Sequence, residues 1–555
     1  MTKEKSLLIG YGVAIIAAVF LVYANALNGN FVWDDVGLIT RNPLIGNLAH
    51  FSDIFKTDLF YGQTDNIFYR PLQNVSYMVD YHFWKDNPFG YHLTNVLIHS
   101  LVAFCWFLFI FMISENHQLS FLTAILFALH PAHTEAVAYI SGRADLMASL
   151  FILLALGAYA GYRKTSQSHF LGLSALSFVL ALLSKEIALI YMPLVFLYDA
   201  LYGVFPGCRG EKRKKIIMAY IVFAVIYFLY FFWRYHLGLV SRGGLISATA
   251  QTRAVLFFKA FLIYLGIICW PVDLHMERGL SADVDTLFFL SVLSFFAFIV
   301  FLVSAYKKHS KLHFFACMWV LINYLPVSNI YPLNAPVAEH WIYLTSLGGF
   351  VLLAGGLVRM SRGKSAALFI LVVPIILMLG CLTVKQNKVW MDAKTLYGYL
   401  LRFHPENTRV FNNLGEIYIL EKNYELAEET LRKILEINPN DPAALVNLAV
   451  VCEDTGRLNE AIDFYQRSIG DHRGHYVAMY NLALLYQKTG RPEEAIDMYL
   501  KSIEANPRHA SSYFNLGNIY DTLGNINRAR QYWQDALRIN PRHKGARQKI
   551  EQSGV

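Results

Sequence analysis

Phe31-Val32-Trp33-Asp34-Asp35 sets two adjacent carboxylates just beyond the first long apolar run of the chain. Carboxylates beside hydrocarbon are costly unless water, a partner or a ligand meets them. Successive side chains diverge by about 100° on a helix and alternate faces on a strand, so the two cannot aim at one atom. One acid is therefore suited to act on a substrate while its neighbour orients something else. A helix N-cap or a solvated turn is the plainer alternative.

Other polar groups follow in the same apolar part. Arg70 lies in Tyr69-Arg70-Pro71-Leu72, and His92, Asn95 and His99 share one helical face by their i, i+3, i+7 spacing. His130-Pro131-Ala132-His133-Thr134-Glu135 leads into Ser141-Gly142-Arg143-Ala144-Asp145, and Lys185-Glu186, Arg234 and Ala338-Glu339-His340-Trp341 come later. Nearly all fall at the outer ends of apolar runs, whereas transporters gather such groups near the midplane. The pattern is that of an interfacial site. His130, His133 and Glu135 are of metal-ligand type, but H-x-x-H-x-E in a Pro-containing loop lacks the helical i, i+4 geometry of metallohydrolases. Hydrogen-bonded scaffolding or ligand contact suits them better.

The elements that must position these groups are membrane spans. Of 555 residues, 55% are hydrophobic and only 16% charged, and mean hydropathy is +0.37, against about 25% charged in soluble domains. The net charge of +8 is spread over short loops, which excludes a nucleic-acid face. Cys105, Cys208, Cys269, Cys317, Cys381 and Cys452 are scattered without a CxxC pair and read as small core residues.

Lys3 and Lys5 precede the apolar run Leu7 to Val22, and Ala24-Asn25-Ala26 imitates a cleavage site; the length of the run favours an uncleaved anchor with its N-terminus inside. Further spans are expected at 92–113, 119–139, 146–162, 169–184, 187–205, 216–237, 286–306, 312–328, 341–358 and 365–384. Residues 254–270 carry Lys259 at their middle and end at Trp270-Pro271, which suits a re-entrant or interfacial helix. The basic loops near Arg163, Lys212, Lys307 and Arg359 then all fall inside, which gives eleven crossings. Residues 28–91 form the outer loop with the acidic pair and should lie along the interface as short amphipathic helices.

From Trp390 the composition turns soluble. Pro405, Pro439, Pro507 and Pro541 keep a 34-residue grid, with Arg473 at the missing node. Leu414-Gly415, Leu448-Ala449, Leu482-Ala483 and Leu516-Gly517 keep the same period, as do Ala427, Ala461, Ala495 and Ala529, while Gly456, Gly490 and Gly524 mark turns. This is the tetratricopeptide pattern: four full repeats, a capping helix at 390–404 and a short tail. Asn413, Asn447, Asn481 and Asn515 repeat once per first helix and could form a polar ladder on the concave face, open to an acceptor or partner protein; plain helix packing is the other reading.

Phe31 to Asp35, Tyr69 to Leu72, Tyr91-His92-Leu93-Thr94-Asn95, His130 to Asp145 and Ala338 to Leu344, followed by the repeats, resemble the transmembrane-and-tetratricopeptide O-mannosyltransferases of the GT-C superfamily. The resemblance runs through essentially the whole chain in one order. It implies an all-α fold: a polytopic GT-C-like bundle over 1–389, then an α-solenoid over 390–555. It further implies transfer of a mannose or similar hexose from a polyprenyl-phosphate donor to a Ser or Thr hydroxyl of an extracytoplasmic protein, in the periplasm or the ER lumen. One departure stands out: animal members tend to have Glu-Arg where this chain has Glu339-His340.

Such a transfer needs one general base, worth about 10²–10⁴-fold. The resemblance favours Asp34, although the residues themselves do not rank it above Asp35. The departing phosphate needs no carboxylic acid, only cations to hold it, for which Arg70, Arg143, Arg234 and His340 are candidates. Trp33 suits sugar stacking or the interfacial aromatic belt. His92, Asn95, His130, His133, Glu135, Asp145 and Glu339 complete the expected donor-binding set. No cofactor is implied beyond the donor lipid, and a divalent metal is left open. A lipid-linked sugar ligase and a non-enzymatic membrane scaffold are the competing readings.

Overall fold

A computed structural model describes the chain apart from residues 1–2, 62–67, 204–210, 240–248, 277, 332, 334, 471–474, 541–542 and 554–555. Pro541 and Arg473 of the repeat grid, and Cys208, lie outside the described residues. The chain divides into two compact units, Met1–Leu396 and Tyr397–Val555.

The first unit is built of helices, and among the described residues its β-type pairing is one isolated bridge between Arg278 and Val337. Among the described residues, eight helices are long and apolar enough to cross a membrane. Two stretches expected as full spans are not continuous helices. Residues 119–139 end their helix (His117–Ala128) ahead of His130-Pro131, where a residue before proline is pushed to an extended backbone, and a 3-10 turn Pro131–His133 follows. Residues 187–205 open on the 3-10 turn Glu186–Ile190, and only then form the 11-residue helix Tyr191–Leu201.

The stretch read as re-entrant or interfacial is a continuous helix, Ala250–Cys269, of spanning length. Lys259 at its middle is wholly buried, its ammonium 2.8 Å from Asp285 and 3.1 Å from the Ser281 carbonyl. A charge paired in this way does not bar a helix from hydrocarbon.

Residues 28–91 do form short helices, including Val36–Thr40, Phe51–Ile54 and Pro71–Trp84. They share a small core: Leu38, Ile39, Ile45, Leu59 and Tyr77 close on Tyr91 and Ile140.

The second unit stacks helix pairs, from Thr408–Leu420 with Tyr424–Ile437 to Ala510–Thr522 with Ile526–Ile539, then Lys544–Gln552. Ala427, Ala461, Ala495 and Ala529 are all fully buried. A methyl group at Gly517 would meet the Trp533 ring at 2.6 Å, so the helix pair closes there only over a glycine.

Candidate active site

The acidic pair is divided by burial. The helix Lys3–Tyr23 gives way to a 3-10 turn, and the chain then enters Phe31–Asp35. Trp33 takes a left-handed φ of 51°, an uncommon conformation for a bulky residue and one that its surroundings must hold. Asp35 is wholly buried. Its Oδ2 accepts the Val32 amide at 3.0 Å; its Oδ1 accepts the Ser141 amide at 2.8 Å and the Ser141 hydroxyl at 2.5 Å. Burial pushes its carboxyl up to about 7 against these donors, with the charge of Asp34 adding to the rise. Asp34 is only half-buried, and its backbone N–H donates to the Tyr139 hydroxyl at 3.3 Å.

The residues from His130 to Asp145 are the spine of this region. Asn95 donates to the carbonyls of Val137, Tyr139 and Ile140 at 3.2–3.3 Å, and Tyr77 and Gln73 donate to those of Ile140 and Ser141. Gly142 is packed so that a methyl group would lie 2.6 Å from the Glu135 carbonyl; no larger residue fits.

Arg143 is a correction to the expected phosphate rim. It is fully buried, paired to Asp80 at 2.5 Å, and donates to Asn95, Ser76 and the Tyr91 carbonyl while lying over the Tyr77 ring. Its charge is spent inside the protein, tying the helix Pro71–Trp84 to the spine.

The histidines are likewise interior. His130 reaches the Ile268 carbonyl and accepts the Ala132 amide; His133 bridges the Phe127 carbonyl and the Ser346 hydroxyl. His99 bridges Tyr343 and the Ala128 carbonyl, while His92 is buried against Gly29. These groups scaffold the turn. Among the described residues, no three His, Cys, Asp or Glu side chains are grouped to hold a metal ion.

Two charged clusters flank the spine. At its start, Glu135 accepts the His340 amide at 2.9 Å and faces His340 Nδ1 at 2.7 Å. Neighbouring Glu339 accepts the His275 amide at 2.6 Å and pairs with Arg278 at 3.2 Å, so Arg278 supplies a permanent positive charge beside Glu339. At the end of the spine, Asp145 holds Lys185 through both oxygens at 2.7 Å. Arg70 meets Glu186 at 3.1 Å. Burial opposes the charge on Glu186, but Arg70, Arg234 and Lys185 outweigh it and hold that carboxyl below its ordinary range. Three cations here face two carboxylates, leaving a positive surplus beside partly exposed side chains.

In the second unit the four asparagines are half-buried ties rather than a free ladder. Asn447 donates to Asn412 at 3.0 Å and Asn515 to Tyr480 at 3.0 Å, each in the preceding repeat; Asn413 reaches Tyr397 at 3.4 Å, and Asn481 bonds Tyr465.

Sequence reasoning gave no role to Tyr139, Ser141, His275, Arg278 or Trp390. Ser141 stood inside a stretch already marked by its Arg and Asp, but Arg278 lies in a connection without periodicity, where nothing distinguished it.

The tetratricopeptide-repeat family matches residues 406–473, 443–508 and 474–542. Over most of its length the chain is similar to proteins named protein O-mannosyl-transferases. The Caenorhabditis elegans protein F38B6.6 is 25% identical over 416 residues, which cover 73% of this chain and 59% of the relative. TMTC3 of Homo sapiens is 25% identical over 500 residues, covering 81% and 54%. TMTC1 of Homo sapiens is 26% identical over 515 residues, covering 80% and 57%. The chain thus spans a little over half the length of these relatives. Among solved structures, the crystal structure of MamA aligns at 26% identity over 27% of this chain and 86% of that one, with a TM-score of 0.24.

Proposed function

We propose that this multi-pass membrane protein, which resembles the transmembrane-and-tetratricopeptide O-mannosyl-transferases, is a GT-C-type glycosyltransferase. It moves a mannose or similar hexose from a polyprenyl-phosphate donor to a Ser or Thr hydroxyl of an extracytoplasmic protein. The observation that carries the reading is the unequal burial of the acidic pair: Asp35 is wholly buried on internal donors, whereas Asp34 beside it keeps part of its surface exposed.

Asp34 acts as general base on the acceptor hydroxyl, and Asp35 fixes the loop that carries it. The C–O bond from hydroxyl oxygen to anomeric carbon forms as the bond to phosphate breaks, and the polyprenyl phosphate departs as an anion that needs no protonation. Arg70 and Arg234, with Lys185 behind them, seat that anion because they carry the positive surplus. Trp33 lies beside Asp34 and is suited to stack on the sugar. Repeats of this kind commonly take peptides in their grooves, which favours a protein acceptor. The N-terminus lies in the cytoplasm, and the acidic loop and repeats lie on the extracytoplasmic side.

Incubation of the purified protein with a panel of polyprenyl-phosphate hexoses and a Ser/Thr-containing peptide tests this. Release of polyprenyl phosphate with one hexose added to the peptide is expected. Transfer to lipid or glycan alone would identify a ligase, and no donor consumption at all a scaffold.

A further inference from the structure

The first and last long helices of the membrane unit are stitched together end to end. Asn25 donates to the Val384 carbonyl at 2.9 Å, while Asn387 donates to the Val22 carbonyl and to the Asn25 side chain, both at 2.8 Å. The contact continues past both helices. Asn30 donates its amide to the Met391 carbonyl at 2.8 Å, and the Trp390 ring stacks on Tyr139 at 5.1 Å with 19° between planes. Tyr139 is the residue whose hydroxyl accepts the Asp34 amide. The acidic stretch, strained at Trp33, is therefore held at Asn30 by Met391, at Asp34 by Tyr139 and at Asp35 by Ser141. Trp390 is 3% exposed, its indole N–H meets no hydrogen-bond partner among the described residues, and its flat face is what it presents to Tyr139.

We infer that Trp390 is a positioning residue, acting through Tyr139, that sets the aim of Asp34. The short segment leading out of the last membrane helix then governs the geometry of the acidic pair. This rests on the reading of Asp34 as the base. A displacement near 1 Å at such a group costs about 10²-fold in rate, and a stacked ring on a hydroxyl that receives the Asp34 amide prevents a shift of that size.

The test compares Trp390→Ala, Trp390→Leu and Trp390→Phe. Ala and Leu remove the flat face and should lower kcat about 10- to 100-fold with donor KM little changed. Phe keeps the face and should restore turnover. Backbone amide exchange over residues 30–36 should rise in the Ala and Leu variants and not in Phe, while exchange over 273–285 stays as in the parent protein. Leu serves if Ala does not fold. Wild-type turnover with unchanged exchange in the Ala or Leu variant overturns the inference. So does a rise in exchange throughout the membrane unit, which marks mere packing. Exchange is read without turnover, so a parent protein that consumes no donor would defeat the transferase reading while exchange still decides the positioning.

Discussion

Ser141 holds Asp35 with two donors at once: its amide and its hydroxyl reach the same carboxylate oxygen, at 2.8 and 2.5 Å, across 106 residues of chain. With the Val32 amide on the other oxygen, this buried carboxylate accepts three hydrogen bonds from inside the protein. A group so committed is an anchor, and the chemistry passes to its neighbour.

Asp34→Asn should therefore lower sugar transfer by about 10²–10⁴-fold with donor binding kept, since Asn preserves size and removes basicity. Asp35→Asn should act differently. Its amide nitrogen must face a donor, either Val32 or Ser141, and a buried mismatch of that kind costs about 1–3 kcal/mol. Turnover, donor affinity and melting temperature measured on both variants separate the two. An Asp34→Asn protein with normal transfer would turn attention to Asp35 or Glu339.

The raised Asp35 carboxyl predicts a pH dependence of its own. Its folded value near 7 lies above the ordinary value of about 3.9, so between these limits the folded chain holds a proton that the unfolded chain has lost. This group's contribution to folding stability is full below pH 4, declines as pH rises toward 7 and is flat above. Protonation, however, places a hydrogen among three donors and loosens the loop. Transfer should fall as pH drops through about 7 while the melting temperature does not fall in step. Parallel profiles of rate and melting temperature check this.

The arginines should sort by burial. Arg143→Ala leaves Asp80 charged and unpaired in the interior and should cost about 3–5 kcal/mol, seen as a large drop in melting temperature or yield. Arg70→Gln and Arg234→Gln sit at partly exposed positions and should instead raise the donor KM, with little change in melting temperature. If neither moves the donor KM, the phosphate does not sit at this cluster.

Sidedness is open to labelling in a background without native cysteines. Asn527→Cys and Lys214→Cys both stand at exposed positions. With the repeats extracytoplasmic, an impermeant reagent on intact cells should reach position 527 and not 214. Protection of 527 would overturn the extracytoplasmic placement of the repeats.

The repeat architecture was legible from the chain alone, because each unit's small residues and turn glycines recur at a spacing set by local helix geometry. The apolar spans were legible for the same reason, since length and composition are properties of contiguous residues. Two expected spans differ: 119–139 breaks at His130-Pro131, where polar residues turn the chain and distant partners bury them, and 187–205 opens on a 3-10 turn that runs to Ile190. The roles within the acidic pair could not be read. Adjacent aspartates are chemically identical until a third residue chooses between them, and that residue, Ser141, is brought to Asp35 only by folding. Arg143 and Arg70 likewise differ in sequence only by context. Tertiary packing surrounds Arg143 with Asp80, Ser76, Asn95 and Tyr91 and leaves Arg70 beside a partly exposed Glu186, and this difference in desolvation makes one a structural tie and the other a candidate ligand for phosphate.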